Sequence, residues 1–195
     1  MKIIPRPVAG LLLLALFACK PQSQTSPPPA PPVPAAPRTA SSLGLAPAWH
    51  LRDLNGQPVS SDQFKGKTVV LDFWATWCGP CRQEIPGYIE LQKKYAGDGL
   101  VFVGVSLDQA GLPVVKKFVD KFKISYPVVM GDDKIQADFG GIDAYPTTFI
   151  IDRDGFIRDR KVGAVPTAAF ERRLLKFLRP SLEPDMETTE PPVRR

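Results

Sequence analysis

The chain has 195 residues, which is enough for one domain of about 150 residues with flanking segments. Its 44% hydrophobic and 23% charged residues are typical of a soluble globular protein, and its 25 basic and 20 acidic residues are interleaved, which argues against a dedicated nucleic-acid-binding protein. Three cysteines are too few for a disulfide-dense scaffold, and the single histidine, His50, argues against a His-rich metal site or a Ser/His/Asp triad.

The N-terminal segment has the pattern of an export signal. Lys2 and Arg6 provide a basic start, and residues 8–18 form an apolar run that is shorter than the roughly 20 residues of a membrane-spanning helix. We interpret residues 1–18 as a cleaved signal. The junction at residues 16–19 (LFAC) resembles a bacterial lipoprotein signal and implies a lipid on Cys19, which would hold the protein in the cell envelope, on the extracytoplasmic (periplasmic) side. The alternative is a signal peptide with an incidental cysteine.

Proline marks the limits of the folded part. Residues 20–47 contain nine prolines, a composition that favours an extended chain over a packed core, so residues 19–47 are predicted to be a lipid-anchored spacer. Residues 181–195 are proline-containing and acidic without apolar periodicity, and are predicted to be a disordered tail. A single domain is therefore predicted at residues 48–180.

Within that domain, apolar runs alternate with helical patterns. The runs at residues 68–74, 100–105, 127–130 and 147–151 are β-rich and nearly continuous, which is typical of strands covered on both faces. Apolar residues recur every three or four positions over residues 85–95 and 112–122, and again after Pro166, where Thr167 is a candidate N-cap. Asp154-Gly155 indicates a hairpin turn. This order predicts an α/β fold with a central mixed β-sheet flanked by helices.

The most specific motif is Trp77-Cys78-Gly79-Pro80-Cys81, between the end of a predicted strand and the start of a predicted helix. Cysteines at positions i and i+3 can form a disulfide on the first helical turn, and the unpaired N–H groups of a helix N-terminus stabilise a thiolate on the first of them. We therefore expect Cys78 to attack a disulfide and Cys81 to resolve the resulting mixed disulfide. Pro80 is tolerated in a first helical turn.

Three other interpretations of the cysteine pair remain open from the residues alone. It could be half of a zinc site, although the chain has no second pair, or a structural disulfide, although so small a ring constrains little of the unfolded chain. It could also form a Cys–His nucleophile pair, which would need His50, a residue predicted on the first strand.

Residues 71–86 (LDFWATWCGPCRQEIP) resemble the active-site stretch of thioredoxins, and residues 48–180 are similar to the TlpA/ResA-like branch of exported, membrane-tethered thioredoxin-fold proteins. The resemblance implies a thioredoxin-like fold and a thiol–disulfide oxidoreductase that needs no cofactor or metal. It also implies a disulfide-containing client protein, for example in cytochrome c maturation, and a membrane electron donor that recharges the site.

Four further positions are singled out by the same resemblance. Asp72 matches the buried acid beneath the disulfide, where an apolar strand should raise its pKa and suit it to take the proton of Cys81, unless the backbone merely satisfies it. Glu84 matches an acid near the thiols, with an ordinary solvated side chain as the alternative. Pro146 resembles the cis-proline that faces the disulfide, and Tyr145 departs from the small or β-branched residue usual before it. The tryptophans Trp74 and Trp77 flank the site.

Two alternative functions fit the sequence less well. A peroxiredoxin-type peroxidase would need Pro and Thr at positions 71 and 75, where the chain has Leu71 and Ala75. A thioredoxin-like module that binds a client or copper without turnover would not need an intact cysteine pair. The Gly79-Pro80 pair matches that of thioredoxin, a reductant, and so favours reduction of the client over its oxidation.

Overall fold

A computed structural model describes residues 43–178. Within them, the strands are β1 (His50–Asp53), β2 (Pro58–Ser60), β3 (Thr68–Trp74), β4 (Leu100–Ser106), β5 (Val128–Met130), β6 (Thr147–Ile151) and β7 (Ile157–Val162). The α-helices are α1 (Gly79–Tyr95), α2 (Leu112–Phe122), α3 (Asp133–Asp138) and α4 (Thr167–Leu178), with short 3-10 helices at Ser61–Phe64 and Ala96–Asp98. The predicted signal, Cys19, residues 19–42 of the predicted spacer and the predicted tail lie outside the described residues. None of the helices within residues 43–178 combines the length and the apolar character needed to cross a membrane.

The strands form one mixed sheet in the order β2-β1-β5-β4-β3-β6-β7. β3 pairs in parallel with β4 and antiparallel with β6, and every residue of β3 is buried. The apolar runs predicted as doubly covered strands correspond to β3, β4, β5 and β6, which are the central strands of the sheet. The predicted mixed sheet flanked by helices is therefore confirmed.

Side-chain alternation along β3 assigns its residues to two cores. Val70 and Trp74 belong to the core that also contains residues of α1, α2 and α4. Leu71 and Phe73 belong to the opposite core, which contains Phe149 and residues around α3. Because successive residues of a strand face opposite sides, Asp72 lies on the same face as Val70 and Trp74, towards α1. This places its carboxyl group under the helix that begins at the cysteine pair.

The apolar residues predicted to face the core are buried in α1 and α4 but only partly so in α2. In α1 the predicted stripe at residues 85, 88, 91 and 95 is buried, and in α4 the predicted residues 170, 174 and 178 are buried. In α2, Val115 and Phe118 are the buried residues, whereas Val119 and Phe122 are only half-buried. Thr167 is the first residue of α4 rather than its cap, because the carbonyl of Pro166 already accepts a hydrogen bond from the Phe170 N–H at 3.1 Å. A Cβ at Gly87 of α1 would overlap the Thr167 side chain, so this glycine permits the two helices to approach closely.

Candidate active site

Cys78 and Cys81 are joined by a disulfide at the start of α1. Cys78 is the N-cap residue, its Sγ accepts a hydrogen bond from the Cys81 N–H at 3.2 Å, and the two Cα atoms are 5.3 Å apart. The local structure follows from the sequence: β3 ends at Trp74, and Pro80, which lacks an N–H, occupies the first turn where no partner for it exists. Cys78 is 5% exposed and Cys81 is 2% exposed, so the first cysteine is the less buried of the pair.

A second loop lies beside the disulfide loop. The Tyr145–Pro146 peptide bond is cis, and Pro146 directly precedes β6. Because Thr147 pairs with Phe73 near the C-terminal end of β3, Pro146 lies at the same end of the strands as the cysteine pair. The rings of Trp77 and Tyr145 pack edge to face with their centroids 5.6 Å apart, so the two loops are in contact.

A third segment fixes the disulfide loop from the β4 side. The Thr76 N–H and hydroxyl both donate to the Asp108 carboxylate, at 2.8 and 2.5 Å, and the Ser106 hydroxyl donates to it at 2.9 Å. Asp108 is buried, and the chain just after β4 therefore anchors the residue two positions before Cys78. No pattern in the sequence marks this contact, since an aspartate after a strand is an ordinary loop residue.

Asp72 is buried on the face of β3 that packs against α1. It is 3% exposed, and the Thr148 hydroxyl of β6 donates to its Oδ1 at 2.8 Å. Burial raises the pKa of Asp72 to about 7, while the hydrogen bond from Thr148 and the positive charge of Lys161 act in the opposite direction. The carboxyl group is thus partnered by a side chain, and near neutral pH it can either hold or release a proton.

Glu84 is not a solvated side chain. It is buried and forms an ion pair with Lys161 of β7, whose Nζ lies 2.7 Å from both carboxylate oxygens. The Val165 N–H donates to Oε1 at 2.9 Å, and the Tyr88 hydroxyl donates to Oε2 at 3.0 Å. Each oxygen of the carboxylate therefore has at least two donors, which is the condition under which a buried charge pair is tolerated.

Tyr88 and Thr148 connect the two carboxyl groups. The Tyr88 and Thr148 hydroxyl oxygens are 3.4 Å apart, which completes a buried path from Glu84 to Asp72. Burial, together with the charges of Asp72 and Glu84, raises the pKa of Tyr88 well above its usual range, so its phenol stays protonated. Each hydroxyl has only one proton to donate. When Asp72 is protonated it can donate to Thr148, whose own proton then becomes available for Tyr88.

The described residues bear on two other interpretations of the cysteine pair, as half of a zinc site and as part of a Cys–His nucleophile pair. Among residues 43–178, no three His, Cys, Asp or Glu side chains are grouped so that they could hold a metal ion. His50 lies on β1, as predicted, and β1 is separated from β3 by β5 and β4. A Cys–His nucleophile pair is therefore not formed.

Cys78 and Cys81 lie at the start of the helix that follows a central strand of a mixed sheet. This arrangement defines the thioredoxin-like thiol–disulfide oxidoreductases. The chain is an enzyme of that class and has that fold. Residues 44–160 match the AhpC/TSA family, to which the chain belongs.

Individual relatives and solved structures agree with this assignment. The thioredoxin-like protein YneN of Bacillus subtilis (strain 168) is 40% identical over 131 residues, covering 66% of this chain and 76% of that protein. The thiol-disulfide oxidoreductase ResA of Bacillus anthracis is 35% identical over 134 residues, covering 68% of this chain and 76% of that protein. A crystal structure of a putative thiol:disulfide interchange protein DsbE from Chlorobium tepidum superimposes with a TM-score of 0.66 and 33% identity, covering 72% of this chain and all (100%) of that one.

Proposed function

We propose that this protein reduces the disulfides of client proteins, for example in cytochrome c maturation, on the extracytoplasmic side of a bacterial membrane, and that Cys78 and Cys81 carry the reaction. The observation that supports this most directly is the cysteine pair itself, at the N-terminus of the helix that covers the strand face of Asp72, a buried carboxyl group whose pKa is raised to about 7. The Gly79-Pro80 pair between the cysteines supports the reducing direction, because it is the pair found in thioredoxin, whose potential is about −270 mV.

The reaction begins from the reduced pair. The Cys78 thiolate attacks one sulfur of the client disulfide, forming a mixed disulfide and releasing the other client sulfur as a thiolate. Cys81 then loses its proton to Asp72 and attacks the Cys78 sulfur, which releases the second client thiolate and closes the Cys78–Cys81 disulfide. Two electrons pass to the client, and a membrane electron donor must return two electrons to the pair before the next cycle.

The roles of the two cysteines can be separated by alkylation. In the reduced protein, iodoacetamide at mildly acidic pH is expected to label Cys78 before Cys81, because Cys78 is the N-cap of α1 and the less buried of the two. Peptide mass mapping after short reaction times provides the measurement, and a Cys81→Ser variant, which keeps only the first thiol, is the control. Faster labelling of Cys81 would reverse the assignment.

The direction of electron flow is tested by equilibration with glutathione. A potential closer to the about −270 mV of thioredoxin than to the about −120 mV of the oxidant DsbA is expected, together with a largely reduced pair in rapidly quenched cells. A potential near that of DsbA, with the pair found oxidised in cells, would show that the protein oxidises its clients instead.

The proposed location depends on Cys19, which lies outside the described residues. The basic start, the short apolar run and the LFAC junction support a lipid on this cysteine. Mass spectrometry of the protein purified from membranes is expected to show a diacylated or triacylated N-terminus at Cys19, and a Cys19→Ser variant should leave the membrane fraction. A soluble wild-type product that begins at another residue would contradict the anchor but not the chemistry of the site.

A further inference from the structure

A cleft beside the disulfide loop plays no part in the reaction described so far. It lies between the start of α1 and helix α2 and has a volume of about 320 Å³. Its lining includes three aromatic residues, Trp77, Phe118 and Phe122, and three cations, Arg82, Lys117 and Lys121. We call these six residues the basic groove. Trp77 directly precedes Cys78, so one wall of the groove is formed by the chain neighbour of the reacting cysteine.

Helix periodicity concentrates positive charge on this side of α2. Lys117 and Lys121 are four residues apart and lie on one face, near Phe118. Lys116 lies on another face, where its Nζ donates a hydrogen bond to Asn55 Oδ1 at 3.2 Å. Like charges four residues apart destabilise a helix. A bound anion would therefore reduce the repulsion between Lys117 and Lys121.

The cations of the basic groove form no salt bridge with the carboxylates of the described residues. Within residues 43–178, no carboxylate lies within ion-pair distance of Arg82, Lys117 or Lys121, whereas Lys65, Lys94 and Lys134 each have one. The Arg82 guanidinium instead lies over the Phe118 and Phe122 rings, 5.9 and 5.6 Å from their centroids. In the adjacent loop, the carboxylate of Asp108 accepts hydrogen bonds from Thr76 and Ser106.

Apolar surface accompanies the charge. Trp77 is 65% exposed and Val114, on the same face of α2, is 41% exposed. An exposed tryptophan beside unpaired cations can pack against an apolar side chain while the cations hold carboxylates on either side of it. We propose that the basic groove binds an acidic segment of the client, flanking the client's disulfide, and so makes the protein selective for clients with this feature. The inference rests on the proposed reduction of client disulfides.

Two synthetic peptides test the proposal. Both contain the same internal disulfide and one flanking leucine, and they differ only in whether four flanking residues are Glu or Lys. Reduced wild-type protein is expected to react with the acidic peptide about tenfold faster than with the basic peptide at low ionic strength, a ratio that falls towards one with added salt. In a Lys117→Glu/Lys121→Glu variant the order of the two peptides should reverse, and in Lys116→Glu, which changes one charge on another face of α2, the wild-type order should persist.

The outcomes distinguish a failure of the groove proposal from a failure of the proposed disulfide reduction. Equal, salt-independent rates with both peptides in the wild type would overturn the proposal, and this comparison does not depend on how well the double variant folds. Equal peptide rates combined with anionic-vesicle binding that the double variant loses would assign the cations to a lipid surface and would also overturn it. Failure of the wild type to reduce the neutral 2-hydroxyethyl disulfide would instead count against the proposed function itself.

Discussion

A Lys161→Met variant is expected to lose about 3–5 kcal/mol of unfolding free energy at pH 7, because it leaves the buried carboxylate of Glu84 without its counter-charge. The two side chains are 2% and 4% exposed, and the Lys161 Nζ lies 2.7 Å from Glu84 Oε1. Water cannot replace the ammonium group at such a site without opening the contact between α1 and β7. Urea unfolding curves of wild type and variant, followed by circular dichroism, provide the measurement.

Two controls show whether the loss comes from the stranded charge. A Lys161→Met/Glu84→Gln double variant removes the carboxylate but keeps an oxygen that can accept from Tyr88 or Val165, so it should recover much of the lost stability. Lys94→Met removes the lysine of an exposed ion pair with Glu171 and should change stability very little. If Lys161→Met were no more destabilising than Lys94→Met, the buried pair would have no structural importance.

An Asp72→Asn variant is expected to be more stable than the wild type above pH 7, by at most about 4 kcal/mol. Burial raises the pKa of Asp72 from 3.8 to about 7, so the folded protein holds this proton more tightly than the unfolded chain does. The resulting stabilisation of the wild type is complete below about pH 4 and is lost as the pH rises through about 7. Asparagine does not titrate, and therefore the stability difference between the two proteins should grow across that window.

Unfolding curves measured at pH 4, 6 and 8 test this dependence on pH. Asp108→Asn is a suitable control, because Asp108 is another buried aspartate near the disulfide loop but its carboxylate accepts three hydrogen bonds from Thr76 and Ser106. Its replacement should destabilise the protein rather than stabilise it. A stability difference between Asp72→Asn and wild type that stayed constant with pH would mean that Asp72 does not titrate in this range.

The same variant tests the role of Asp72 in catalysis. If Asp72 takes the proton of Cys81, Asp72→Asn should slow the release of the mixed disulfide by about 10²-fold and should affect the attack by Cys78 much less. Rapid quenching with acid, followed by separation of free and mixed-disulfide forms, resolves the two steps. Equal slowing of both steps would limit Asp72 to a structural role.

The sequence predicted the strands that are buried on both faces but did not predict the short strand β2 at the edge of the sheet. β3 and β6 were predicted with the bounds that the structure has, because each is a continuous apolar run at the centre of the sheet. β2 contains only three residues, Pro58–Ser60, and is made by pairing with β1 around a turn in which Asp53 accepts from the Asn55 and Gln57 N–H groups. Such short strands depend on tertiary pairing and have little periodicity of their own.

Apart from Tyr145 and Pro146, which the family resemblance supplies, the site residues that the sequence indicates are neighbours in the chain. The cysteine pair, Asp72 and Glu84 lie within one strand–helix unit, whereas Lys161 is 77 residues from Glu84 and Thr148 is 76 residues from Asp72. Lysine is ordinarily a surface residue, and no local pattern marks Lys161 as buried. Tyr88 was predicted as part of an apolar stripe, and the contact of its hydroxyl with Thr148 depends on the register of β6 against β3, which the sequence alone does not specify.

The central claim, that electrons pass from Cys78 and Cys81 to a client disulfide, is tested most directly by a single-turnover reaction of the reduced protein with insulin. Quenched samples are mapped by mass spectrometry for both the client and the enzyme disulfide. One Cys78–Cys81 disulfide is expected to form for each insulin disulfide reduced, and the Cys81→Ser variant is expected to stop at a mixed disulfide through Cys78. Insulin that stays oxidised while the pair stays reduced would show that no electrons pass from Cys78 and Cys81 to a client disulfide.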